Sequence, residues 1–528
     1  MAIKIRTEER IEGIKIGNGV LKLLQYADDT SGMLKDVNSA KVFLQIVHKF
    51  GEYSGLCLNR DKTEAMWLGS CRNNTVKPLG ILWPVRPLRV LGVYVSYNDE
   101  ANYTLNFEEK IEKAKRILDM WKMRKLTLYG KAQIIKTFIV SQFLYVSSAI
   151  ETPQKAIKTI DRLIFKFIWG NKIDRIKRSV LKSEVCNGGI KVPDFDTMLK
   201  TSRYKWIKRL EKTEEPPWKV ILRCYLKKYG ISLEVLLHSN YSLKTLGLEA
   251  HMLPMFYYEL LKLWSNTGNT TGVDKSEFIW YNRELCIKGR SVFYPDFLQC
   301  GIWYVSDLYC SDGEVIPFDV WVNRGLSRTN LIRWMSLVRK TKRKARNTLS
   351  QLDLENIGKL SLLGKGPLYA INSPVIYKEL LREKLGESVH VPRISKYLAD
   401  TESTDWCKVY ERANKIPIDT KIKDFQYRFI HDILSNNYWL NKWKIKDTSV
   451  CTYCSDSVED IAHMFWYCEK SREFWDGVAN LLQLHVNDGQ NGFTMEDVFF
   501  GSPKDRNMCQ IIFSAKCFYT IRECMKNQ

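Results

Sequence analysis

The sequence predicts an α+β chain whose strands are confined to the first hundred residues and whose remainder is mainly helical. Three observations predict it. Two hairpin patterns, "KLLQYADDTSGMLK" and "PLRVLGVYVSYND", lie in residues 22–99. From residue 105 onward, apolar residues recur at steps of three and four. Near the C-terminus, cysteines and a histidine cluster among aromatic residues in "CTYCSDSVEDIAHMFWYC".

The bulk properties bound what such a chain does. Its 528 residues are enough for two to four cores. A hydrophobic content of 45% excludes a disordered chain. The net charge of +22, from 81 basic and 59 acidic residues, favours polyanion partners, nucleic acid first and acidic membrane second. A merely soluble basic protein would carry the same charge. No run of 18 apolar residues is present, so no membrane span is expected. The opening "MAIKIRTEERIEG" lacks the apolar stretch of a signal peptide. The 14 cysteines are mostly isolated, unlike a secreted disulfide framework, and fit a reducing compartment, nucleus or cytoplasm.

In the first hairpin, apolar residues flank a polar centre that holds Asp28 and Asp29 side by side. Two readings stand: a solvated tip, or a pair of hard oxygen ligands for Mg²⁺. Two-metal phosphoryl transfer would need a further carboxylate from another strand. Next, Ala40, Phe43, Leu44, Val47 and Phe50 follow helical spacing until Gly51 and Gly55. His48 on that helix reads as a surface or core residue. "GLCLN" is expected as a short strand, "NRDKT" as a turn or helix start, and "LRVLGVYVS" as a second strand pair.

Phe107, Ile111, Ala114, Leu118 and Trp121 form an apolar stripe, with Lys110, Lys113, Lys115, Arg116 and Lys122 between them. A second helix is predicted through "YGKAQIIKTFIVSQFLYVSSAI", ending before Pro153, and a third through "AIKTIDRLIFKFIWG", closed by Gly170. Residues 108–182 hold 18 Lys or Arg against 7 Asp or Glu, a net +11. The basic faces read either as solvated surface or as a rail for phosphates.

Residues 211–400 predict several short helices after a boundary at "EKTEEPPWK". Residues 321–350 hold nine basic and no acidic residues, including Arg339, Lys340, Lys342, Arg343, Lys344 and Arg346. A nuclear localisation signal, an RNA contact or a solvated loop would each look like this. Cys224, Cys286, Cys300, Cys310 and Cys407 have no near neighbour in sequence and read as unligated thiols.

Cys451, Cys454, His463 and Cys468 follow the spacing C-x2-C-x8-H-x4-C. Four such S and N donors close a tetrahedron around Zn²⁺ and leave no open position, so a structural role follows. His431 lies upstream on its own helix and reads as packing rather than as a fifth ligand.

Together these stretches resemble a LINE-type (non-LTR) retrotransposon reverse transcriptase. The "YADD" hairpin resembles the family's metal-binding palm hairpin, which implies that Asp28 and Asp29 are catalytic Mg²⁺ ligands. Gly55, Asn59, Lys62 and Thr63 resemble a Gly-x-x-x-Asn-x-x-Lys-Thr element, which implies that Lys62 assists the leaving pyrophosphate. Leu91 and Gly92 match a strand near the primer end. "LYGKAQIIK" (Tyr129, Gly130, Lys131), "FIWGNK" (Trp169, Gly170, Lys172) and the Gly188, Gly189, Pro193, Asp194 signature resemble the thumb. That implies that Lys113, Lys115, Arg116, Lys122, Lys131 and Lys172 contact the RNA template and RNA–DNA duplex. The cysteine cluster, with Glu459 and Phe465 or Trp466, resembles the zinc-binding domain attached to these enzymes. The resemblance implies a partial palm at 1–104, a helical thumb-like segment at 105–210, a mostly helical connection at 211–400 and the zinc-binding domain at 401–528. The family's endonuclease, fingers and first palm aspartate find no match. The expectation is therefore a truncated RNA-directed DNA polymerase that binds nucleotides only in an intact enzyme. The alternative is a non-catalytic RNA- or DNA-binding relic.

Overall fold

A computed structural model describes residues 1–84, 87–96, 98–267, 278–283, 285–287, 289, 291–310, 312–348, 368–398, 401–482, 493–502 and 505–526. The described part is α+β and mostly helical, and its named strands form three two-stranded antiparallel hairpins before residue 96. The chain divides into two compact units, each assembled from several stretches.

The first unit comprises residues 1–109, 144–153 and 197–379. Its opening hairpin pairs Ile14–Ile16 with Gly19–Leu21, and the second pairs Leu23–Tyr26 with Asp29–Gly32. Tyr26 stands opposite Asp29, which leaves a two-residue turn of Ala27 and Asp28, with Ala27 at φ +52°. The helix Val37–Ser54 follows. Asp36 caps it by accepting from the Ser39 N–H at 2.7 Å, and Gly55 ends it in the left-handed region at φ +72°. Phe43 from this helix meets Ile5, Ile11 and Leu23 in a small core, so the predicted apolar stripe is the buried face. The third hairpin pairs Leu88–Val90 with Val93–Val95 around Leu91 and Gly92, both at positive φ. Two positive-φ residues suit a two-residue hairpin turn, so the Leu-Gly pair is the turn itself. The buried Asn106 side chain brackets this hairpin, accepting from Tyr94 N–H at 2.9 Å and donating to Tyr94 C=O at 2.8 Å.

One expectation fails here. "GLCLN" is not a strand: residues 55–59 have no sheet partner, and Leu56 and Leu58 are exposed. A strand's backbone groups need a neighbour to pair with, and alternating apolar residues alone do not supply one. Further along this unit, Phe278, Trp280, Phe297 and Trp321 fill an aromatic core, with Trp280 Nε1 donating to the Ile302 carbonyl at 2.9 Å. The basic stretch lies on the helix Leu331–Thr348, whose side chains are described through Lys342. Arg343, Lys344 and Arg346 therefore fall outside the described side chains.

The second unit comprises residues 110–143, 154–196 and 380–528. Ile111, Ala114 and Leu118 bury the predicted stripe of the helix Glu109–Lys122. Within this unit residues 128–143 are continuously helical, and Gln154–Trp169 follows, closed by Gly170 at φ +61°. These helices share a unit with Trp406–Lys415, Thr420–Ile430, Glu469–Leu481, Met495–Phe500 and Arg506–Lys526, whose core gathers Phe429, Ile461, Phe465, Trp475, Phe499 and Phe513. Long-range polar contacts tie the early helices to the later ones. Asp424 accepts from the buried Leu128 N–H at 2.7 Å, capping that helix from another part of the chain. Arg175 donates to the Ile433 carbonyl at 3.0 Å and lies over the Trp443 ring.

The Gly-Gly signature has a packing reason. Gly188, at φ +90°, closes the turn Val185–Asn187, and a Cβ there would meet the Tyr410 ring at 2.9 Å. A Cβ on Gly189 would sit 2.0 Å from the Ser183 carbonyl oxygen. Both positions admit only glycine without rearrangement. Asp194, 1% exposed, receives Lys182 Nζ at 2.7 Å and Lys384 Nζ at 2.8 Å.

Candidate metal centre

The four predicted zinc ligands come from two local structures. The first is a knuckle: Cys451 N–H donates to Ser457 C=O at 2.8 Å, and Ser455 N–H donates back to Cys451 C=O at 3.0 Å. This folds Cys454 over Cys451, with Ser455 at φ +55°. The second is a helical hinge. His463 opens a short π-helical turn, His463–Tyr467, and Cys468 follows as the N-cap of Glu469–Leu481. Cys468 N–H donates to His463 C=O at 2.9 Å, which sets the two ligands side by side.

The geometry suits one cation. All four donor atoms lie within 4.8 Å of one another. Cys451 Sγ and Cys468 Sγ are 4.0 Å apart, and Cys454 Sγ is 3.3 Å from His463 Nε2. Those separations are close to the edges of a tetrahedron with the usual Zn–S and Zn–N lengths. Burial pushes the Cys451 thiol up, whereas backbone N–H groups of Asp456 and Ser457 hold the Cys454 thiol down. Three converging sulfurs and one imidazole nitrogen are a donor set for zinc.

Glu459 is not a ligand. Its buried carboxylate accepts from Asn437 N–H at 2.9 Å, Asn437 Nδ2 at 3.0 Å and Thr452 N–H at 3.4 Å, so it pins the knuckle to the Asn437–Lys442 helix. The sequence pattern contains Glu459, but this role depends on Asn437 and Thr452. The backbone N–H of His463 donates to Asp460 Oδ1 at 2.8 Å, which fixes the start of this helical turn. Phe465 is the core residue of the pattern, and Trp466 is half-buried. His431 is packing, as expected. Its Nε2 is 3.2 Å from the Gly188 carbonyl, it stacks on His390 and Tyr410, and burial drives its pKa down to about 3.

The other predicted residues are placed as follows. Asp28 and Asp29 are exposed at the hairpin end. Among the described residues, no third Asp, Glu, His or Cys joins them in a metal-holding group. Lys62 is exposed on the single turn Arg60–Lys62, which Asn59 caps by accepting Lys62 N–H at 3.1 Å, while Thr63 Oγ1 donates to Asn59 C=O at 2.7 Å. The Asn-x-x-Lys-Thr spacing thus builds a capped turn. Lys113, Arg116 and Lys122 are exposed along one helix, and Lys115 is half-buried. Lys115 pairs with Glu112 and Lys122 with Asp119. Lys172 is exposed just past Gly170. Lys131 differs: its ammonium donates to the Ile168 carbonyl at 2.7 Å and faces the Phe167 ring. Cys407, expected to be isolated, lies beside Cys186 and Glu411.

Residues 394–475 match a family described as zinc-binding in reverse transcriptase. Among curated proteins, the chain is 25% identical over 276 residues to a Xenopus laevis protein described as "Transposon TX1 uncharacterized 149 kDa protein", covering 49% of this chain and 21% of that one. It is 26% identical over 132 residues to an Arabidopsis thaliana protein described as "Putative ribonuclease H protein", covering 24% of this chain and 20% of that one. The chain spans about a fifth of the length of these relatives. The Cys₃His cluster lies inside the matched residues, in a domain similar to one that binds zinc in reverse transcriptases. With the transposon relative beside it, this similarity supports a chain related to retrotransposon reverse transcriptases. Among the described residues, no helix is long and apolar enough to cross a membrane.

Proposed function

We propose that this chain is the nucleic-acid-gripping part of an RNA-directed DNA polymerase, with residues 1–104 as palm, 105–210 as thumb and 401–528 as zinc-binding domain. The observation that carries the reading is the Cys₃His centre in the domain matched to reverse transcriptases, in one compact unit with the basic helices of residues 110–143 and 154–196. Zinc holds that domain together rather than acting on substrate, because four protein donors leave no place for a reactant. Lys113, Arg116, Lys122 and Lys172 face solvent and are the residues we assign to phosphates of an RNA template or RNA–DNA duplex. Recognition of such a duplex rests on shape and backbone charge, with little sequence readout.

This assignment has a direct test. Neutralising Lys113, Arg116, Lys122 and Lys172 together should weaken binding to all RNA–DNA duplex sequences alike. It should also flatten the dependence of log affinity on log salt by about 2 to 4, since each lost phosphate contact removes a slope of roughly 0.7–0.9. Fluorescence titration at several salt concentrations reads both quantities. An unchanged slope, or a loss confined to one base sequence, removes the rail.

The polymerase reaction of the family is nucleotidyl transfer at two Mg²⁺ ions. Asp28 and Asp29 by themselves do not make that donor set. This favours a second reading for the chain acting alone, a nucleic-acid-binding protein without catalysis. Primer extension on an RNA template with Mg²⁺ and nucleotides is then expected to be at background. Extension that vanishes in Asp28→Asn would show instead that a further carboxylate is recruited.

A further inference from the structure

Two cysteines and a glutamate outside the Cys₃His centre converge in the second unit. Cys186 sits on the turn Val185–Asn187, and Cys407 and Glu411 lie one helical turn apart on Trp406–Lys415. One donor atom from each falls within 4.8 Å of the other two. We propose that Cys186, Cys407 and Glu411 form a second metal site, for a borderline-soft divalent cation such as Zn²⁺, with a fourth position open to water.

The local packing is built to hold these groups together. Gly188 brings the turn against Tyr410, the neighbour of Glu411 on the helix, at a distance no side chain would allow. Tyr427 donates its hydroxyl hydrogen to the Gly188 carbonyl at 2.9 Å, and Tyr410 donates to the His390 carbonyl at 3.0 Å. His390 N–H in turn donates to the Asn187 carbonyl at 3.4 Å. The turn is therefore fixed from both sides, and the facing i, i+4 pair is fixed by its helix. Asn187 Oδ1 lies 3.7 Å from Cys186 Sγ and adds a neutral oxygen at the edge of the group.

The chemistry favours a cation over mere packing. All three residues are half-buried, open enough for an ion to enter yet shielded enough to hold it. Each is anionic in its ligand form, and none would choose the company of the others. Glu411 is also paired with Lys415, so the carboxylate exchanges one partner for another rather than being created free. Two thiolates and a carboxylate match zinc in donor type, and three protein ligands leave an exchangeable position. The site should bind more weakly than the closed Cys₃His centre. When filled, it would clip the segment around Gly188 to the first helix of the matched domain.

Equilibrium dialysis of the purified full chain against zinc under reducing conditions, read by elemental analysis, tests the proposal. Two zinc ions per chain are expected at saturation, one of them removed by mild chelation. Cys186→Ser and Cys407→Ser should each bind one. Glu411→Gln, which keeps the side-chain shape, should retain the first zinc and bind the second at least about 10-fold more weakly. Circular dichroism and the retained first zinc report folding of each variant, and Glu411→Gln stands if a serine variant fails to fold. Cys57→Ser with Cys71→Ser, at exposed thiols elsewhere, should leave the count at two. A wild-type count of one overturns the proposal, whether or not peptide mapping then finds Cys186 and Cys407 joined as a disulfide. So does a second ion that survives both serine substitutions and Glu411→Gln, or one lost in the Cys57 and Cys71 control.

Discussion

Replacing Cys451 and Cys454 together by serine should release the structural zinc and unfold most of residues 394–526, leaving the first unit folded. The expected size follows from what the metal holds. Structural zinc sites contribute roughly 10–16 kcal/mol of apparent binding free energy at neutral pH, more than the whole stability of most domains. Without the cation, Cys451 and Cys468 remain as buried thiols facing each other, and Val450 and Val458 flanking the knuckle are exposed. Cys468 is also the N-cap of Glu469–Leu481, and that helix delivers Trp475, whose Nε1 donates to the Phe465 carbonyl at 2.9 Å inside the core. Loss of the centre therefore reaches the core through one helix start. Elemental analysis and limited proteolysis read the outcome. Full zinc retention, or an unchanged proteolysis pattern over residues 394–526 after zinc loss, would contradict it.

Asp194→Ala should destabilise the second unit by about 3 kcal/mol, at the low end of the range for removing one partner of a buried ion pair. The low end applies because Lys182 retains Asp161 and Lys384 retains Asp196. Asp194→Asn keeps the shape and isolates the charge. A pH signature distinguishes the ion pair from simple packing. Burial lowers the Lys384 pKa, but its hydrogen bonds to Asp194 and Asp196 outweigh that and raise it above 10.5. A raised folded-state pKa means the contribution is full below the unfolded value of 10.5 and is lost as pH climbs through the folded one. Denaturant titrations of the wild type should thus show stability falling above pH 10.5, and Asp194→Asn should show a shallower fall. Equal slopes would mean that Asp194 acts only by filling space.

What the sequence determined alone is what contiguous residues encode. The zinc ligands lie within one short stretch, and their order already contains a knuckle and a helix start. The Ala27-Asp28 and Leu91-Gly92 turns fix their hairpins by loop length and backbone sign, whatever the surroundings. The stripe from Phe107 to Leu118 identifies its buried face by period alone. Tertiary structure decided whatever depends on which distant segments meet. "GLCLN" has the alternation of a strand but no neighbour to pair with, so it stays unpaired. Lys131 carries the same charge as Lys113, yet a helix end positioned elsewhere in the chain takes its ammonium. Asp194 becomes a buried pivot only because lysines from two separate segments arrive on either side. Cys407 looked isolated because its partner Cys186 lies far away in sequence, and a thiol's chemistry is set by what folding places beside it. Periodicity and turn chemistry are local energies; ion pairs, ligand sets and strand partners are properties of the assembled chain.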